Sequence, residues 1–98
     1  REKTVIDCLR HLEYSGAVGQ VFGAVTDELD PGKMVDYCVR TKSSAIASRL
    51  GYFMEKKGLD FDEDELKAML NTYTKLDPDG ENTGLEPDWK LYVNREIP

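Results

Sequence analysis

The 98-residue chain has 13 basic and 19 acidic side chains, a net charge of −6, and 40% hydrophobic residues. That is enough for one domain over residues 1–98, with a core that needs neither a disulfide nor a metal ion. No apolar run approaches the roughly 20 residues of a membrane-spanning helix, and no secretory leader pattern precedes the first helix. Cys8 and Cys38 stand alone and far apart and are no disulfide framework, so a reducing, cytoplasmic setting is expected. The chain begins at Arg1, directly before a helical pattern, as expected of one domain from a longer protein.

Charge is unevenly spread. Residues 1–32 carry −3, residues 33–57 carry +4, residues 58–88 carry −8 and residues 89–98 carry +1. The basic stretch holds Lys33, Arg40, Lys42, Arg49, Lys56 and Lys57. A positive band beside a negative one suits electrostatic recognition, although charges usually mark solvated helix faces. A domain that held DNA by itself would be basic overall.

Five helical patterns follow one another. Thr4 is placed to cap the first, with Asp7 in its first turn and Val5, Ile6, Leu9 and Leu12 apolar. The second carries Val18, Val21, Phe22, Val25 and Leu29 in one stripe. Asp30-Pro31 is an N-cap followed by proline at the first helical position, opening a short third helix with Met34, Val35 and Cys38 inward. Ser43 or Ser44 starts the fourth, which buries Ile46, Ala47, Leu50, Phe53 and Met54 and is closed by Gly58. Asp62 with Glu65 makes a capping pair for the fifth, with Leu66, Met69, Leu70 and Tyr73 on one face. Gly51 lies inside the fourth helix at a cost of about 1 kcal/mol, which implies close packing, with a second helix as the expected neighbour and Tyr52 at the rim.

Beyond Tyr73 the period changes. Trp89, Leu91 and Val93 alternate with Lys90, Tyr92 and Asn94, the pattern of a half-buried strand. Leu76 and Trp89 are expected on the two strands of a C-terminal hairpin closed by the polar loop 79–88. The fold class is therefore mainly α with a small β component: about five helices, then a β-hairpin.

Constellations for chemistry are sparse. Cys8 and His11 share a helix face but are too few for zinc, and Cys8 is expected in the core. Asp77, Asp79, Glu81 and Thr83 invite comparison with a calcium loop, but Asn82 stands where glycine makes the turn and Asp88 where a bidentate Glu belongs. No nucleophile–base pair and no phosphate loop is present, so no enzyme, metal or cofactor is expected.

Taken in order, the stretches KTVIDCLRHLEYSG, VGQVF, SSAIASRLGYFMEKKG, KLDPDGENTG and DWKLYVN resemble the C-terminal domain of AbiEi-type antitoxins. These are transcriptional regulators of abortive-infection toxin–antitoxin systems in bacteria and archaea. The resemblance covers about residues 2–94. Its most specific parts are Arg49-Leu50-Gly51-Tyr52 ahead of Gly58, and Leu76-Asp77-Pro78 leading to Trp89, Leu91, Val93 and Asn94. It implies a regulatory domain whose family pairs it with an N-terminal winged helix, absent from these residues, that binds promoter DNA. It also implies a nucleotidyltransferase toxin as partner. Leu50, Gly51, Tyr52, Asp77, Pro78, Trp89 and Asn94 are then structural motif residues, and Arg40, Lys42, Arg49, Lys56 and Lys57 the candidate partner-binding band. The chain departs from the pattern at the acidic Glu86-Pro87-Asp88 and at Ser15-Gly16-Ala17. The alternative is a standalone helical interaction or dimerisation domain of a regulator with no toxin partner.

Overall fold

The helices begin where short side chains take up free backbone amides. The computed structural model describes residues 2–10, 22, 23, 25, 29–76 and 84–93. Among these, helix α1 spans Glu2–Arg10, α2 Pro31–Thr41, α3 Ser44–Lys56 and α4 Glu63–Lys67. Asp30 caps α2, its Oδ1 accepting from Gly32 N at 2.9 Å and Lys33 N at 3.3 Å, with Pro31 in the first turn. Helix α1 begins at Glu2, so Thr4 lies inside it rather than at its cap. The Glu2 carboxylate instead accepts from Asp30 N at 2.9 Å and ties the starts of α1 and α2 together. That backbone donor holds the Glu2 carboxyl below the usual carboxylate range.

Helix α3 is the centre of the fold. Ser43 Oγ caps it, accepting from Ile46 N at 3.3 Å. Its far end is a Schellman closure: Gly58 N donates to Glu55 O and Leu59 N to Met54 O, each at 3.0 Å, with Gly58 at φ +71°. Every residue from Ile46 to Met54 is buried, so α3 has no polar outer face over two and a half turns. Helices α1, α2 and α4 all pack on it. A helix buried all round is a core element, and its neighbours present single apolar stripes to it: Val5, Ile6 and Leu9 from α1, and Met34, Val35 and Cys38 from α2. Most of the second sequence-predicted helix lies outside the described residues. Its Phe22, Val25 and Leu29 are buried, and the Phe22 ring meets Phe53 edge-on at 5.3 Å.

Helix α4 is shorter than the sequence stripe suggests. It ends at Lys67, and successive i→i−3 bonds from Met69 N to Leu66 O and Leu70 N to Lys67 O tighten the exit. Asn71 N then donates to Ser44 Oγ at 3.1 Å, which draws the chain away from the helix axis. Leu66 is buried, but Tyr73 turns outward beside a strand.

The sheet corrects the predicted hairpin. Strands β1 (Thr74–Lys75), β2 (Leu85–Glu86) and β3 (Leu91–Tyr92) lie in the order β1-β3-β2. Strand β1 runs parallel to β3, pairing Thr74 with Leu91 and Lys75 with Tyr92. The antiparallel partner of β3 is β2, pairing Leu85 with Tyr92 and Glu86 with Leu91. Leu76 and Trp89 are therefore not paired across a hairpin. Trp89 sits in the four-residue turn 87–90, where Lys90 at φ +49° supplies the left-handed step that closes such a loop.

One buried polar atom stands out within α3: Ser48 Oγ has no hydrogen-bond partner among the described residues. Ser48→Ala removes an unpaired hydroxyl and favours the helix, and is expected to stabilise the chain by about 1 kcal/mol. A shift of the urea midpoint to higher denaturant measures it.

Candidate functional site

Trp89 draws several elements together. The tight turn 87–90 aims its indole inward onto α3, where it is completely buried. Gly51 makes this possible, because a Cβ there would overlap the six-membered ring of the indole. The close packing expected at Gly51 is present, but its neighbour is an aromatic ring from the turn between β2 and β3 and not a second helix, and Tyr52 is buried rather than at a rim. One turn further along α3, Glu55 Oε2 accepts from Trp89 Nε1 at 2.6 Å. Phe61 stacks on the indole at 5.9 Å and 28°, and Lys67 Nζ lies 5.1 Å from the ring centroid. Each face and the one donor of the indole are thus occupied.

Sequence reasoning named Gly51 and Trp89 but missed Glu55, Phe61 and Lys67. A signal for Glu55 was available: it follows Gly51 by four residues, so a small residue and an acceptor share one helix face. Phe61 and Lys67 carried no comparable local signal.

The basic band does not assemble. Arg49 is only 4% exposed, and its Nε and Nη2 donate to Lys75 O at 3.1 and 2.9 Å. It joins α3 to β1 and is not on the surface. A buried guanidinium must be hydrogen-bonded, and a backbone carbonyl at a strand edge meets that need. Arg40 and Lys42 are exposed at the N-terminal approach to α3, whereas Lys56 and Lys57 are exposed at its C-terminal end. By helix rise these pairs stand about 20 Å apart, so they are two separate sites. Arg40 is also paired with Asp36 at 2.9 Å and lies 5.7 Å from the Tyr37 ring. Lys56 and Lys57 lie over the Tyr52 and Phe22 rings at 5.5 and 4.4 Å.

Beside Trp89, an open cleft of about 420 Å³ is lined by Tyr52, Glu55, Lys56, Glu86 and Asp88. Three carboxylates face one ammonium there, so its potential is negative. No group of three His, Cys, Asp or Glu among the described residues is arranged to hold a metal ion. His11, the Asp77–Thr83 loop and the motif residues Asp77, Pro78 and Asn94 lie outside the described residues. Of the two thiols, Cys8 is exposed rather than in the core. Cys38 is buried, and loss of solvation pushes its thiol up to about 12. No helix among the described residues is long and apolar enough to cross a membrane. Comparisons with protein-family models, curated proteins and solved structures find no match for this chain.

Two outcomes are expected. Gly51→Ala should destabilise by about 2 kcal/mol, the overlap with Trp89 outweighing the usual helical gain of alanine. Chemical denaturation checks this, with a red-shifted native tryptophan emission as its companion signature. In the folded chain a thiol reagent at neutral pH should label Cys8 and leave Cys38 unmodified until denaturant is added. Mass spectrometry of the labelled peptides distinguishes the two.

Proposed function

We propose that this chain is the antitoxin-like regulatory domain of an AbiEi-type transcriptional regulator acting in the cytoplasm. On this reading it works as a binding module rather than an enzyme. A winged helix elsewhere in the parent protein contacts promoter DNA, and this domain engages a nucleotidyltransferase toxin. The observation that carries the reading is the Gly51–Trp89 contact. The two most specific stretches of the resemblance, Leu50-Gly51-Tyr52 and the segment at Trp89, are far apart in sequence but form one packing unit. Residue types that are unusual at their positions, a mid-helix glycine and a fully buried turn tryptophan, thereby share one physical cause. Short chance matches have no reason to meet in space.

The charge distribution fits this division of labour. The exposed cations Arg40, Lys42, Lys56 and Lys57 are split between the two ends of α3, and the acidic residues of 58–88 repel phosphates. Non-specific DNA binding scales with the number of phosphates neutralised, and few cations here act together.

The reading requires a nucleotidyltransferase gene beside that of the full-length regulator, whose absence would reject it, and the test is co-expression of the two proteins. Growth arrest by the enzyme should be relieved by the intact protein and by this domain alone. Failure of both to relieve it, with the proteins soluble and expressed, would reject the reading. Promoter DNA titrated with the isolated domain at physiological salt should bind weakly and without sequence preference. Sub-micromolar, sequence-specific binding would make this domain a DNA reader instead.

A further inference from the structure

Two large apolar side chains are exposed among the described residues, Tyr73 at 38% and Leu85 at 62%. The sheet register places both on one face. Lys75, Tyr92 and Leu85 form a row across the three strands, and Tyr73, two residues before Lys75, touches the Tyr92 ring at 5.4 Å. The buried Leu91 and its partners Thr74 and Glu86 belong to the opposite face.

The two edges of this sheet differ. At β1 the outward Lys75 carbonyl is taken by Arg49. At β2 the edge is open among the described residues. Val93 N donates to Gly84 O at 3.0 Å, so Gly84 and Glu86 direct their backbone groups to β3, and alternation turns the Leu85 amide and carbonyl outward. No described residue pairs with them.

We propose that the outer edge of β2 is a docking site for an extended segment of a partner protein in which apolar and basic residues alternate. A strand added there continues the sheet through the Leu85 amide and carbonyl. Its side chains point alternately to the two faces. One set lies beside Leu85 and Tyr92 and covers the exposed apolar row. The other set lies on the Glu86 side, where Glu55, Glu86 and Asp88 line the acidic cleft. Lys56 also lines it but lies over the Tyr52 ring, leaving the carboxylates in excess. Charge selects the occupant. A second copy of this chain brings −6 of its own and is repelled. A two-residue edge also falls short of the roughly 800 Å² per partner that a stable dimer needs. The site does not depend on the identity of the parent protein.

Isotope-labelled chain titrated with a synthetic peptide alternating valine and lysine tests the site by NMR. The Leu85 amide should shift and exchange more slowly with solvent as peptide is added. Leu85→Pro, which removes the donor, and the double variant Glu86→Gln with Asp88→Asn, which keeps the backbone and removes charge, should each weaken binding about tenfold. A peptide alternating valine and glutamate should not bind. Four results would overturn the proposal: no binding at millimolar peptide, equal binding of the glutamate peptide, binding that leaves the Leu85 amide unprotected, or unchanged affinity in the double variant. Protection of Leu85 that grows with protein concentration alone would assign the edge to a second copy, and protection by a single-stranded oligonucleotide would assign it to nucleic acid. Either result rejects the peptide site.

Discussion

A glycine in the middle of the central helix leaves a slot one side chain deep, and the indole of Trp89 fills it. Helix α3 is buried from Ile46 to Met54, with α1, α2 and α4 packed on it, and this ring and Arg49 on the Lys75 carbonyl tie the three-stranded sheet to it. The two contacts divide the work. The indole supplies apolar burial and has a directional bond to Glu55, whereas the guanidinium donates twice to a strand carbonyl and fixes the height of β1. Strands of two residues have little stability of their own. Their position follows from side chains inserted into the helical layer rather than from ladder hydrogen bonds.

Features set within a few residues were legible in the sequence. The Asp30-Pro31 opening, the Ser43 cap and the Gly58 closure each depend on hydrogen bonds that span no more than five positions, and the structure has all three. The inward faces of α1 and α2 followed from spacing in the same way. What was not legible depends on distant partners. The parallel pairing of β1 with β3 leaves no local trace, because alternation in 89–93 is the same whichever strand lies beside it. Arg49 read as a surface cation because its acceptor is 26 residues away. Helix α4 read as longer because the stripe through Leu70 and Tyr73 persists after the backbone has left the helix for the Ser44 hydroxyl.

The candidate site was half legible for the same reason. Gly51 announced a close approach but not what approaches, and Trp89 announced burial but not a turn. The acidic cleft beside them is a product of packing: Glu55 comes from α3, Glu86 from β2 and Asp88 from the turn. Those carboxylates are separated by up to 33 positions and share no motif. The positive band failed in the opposite sense, since residues close in sequence were separated by the length of the helix between them.

Arg49 has one more effect, on how copies of this fold can assemble. A sheet with two open edges can add neighbours at both sides and grow without limit, as in fibrils. Here the guanidinium occupies the outward carbonyl of β1, so a strand arriving on that side finds this acceptor taken, whereas the outward carbonyl of Leu85 on β2 has no partner among the described residues. The arginine that braces the core thereby also works against growth of the sheet from its β1 side.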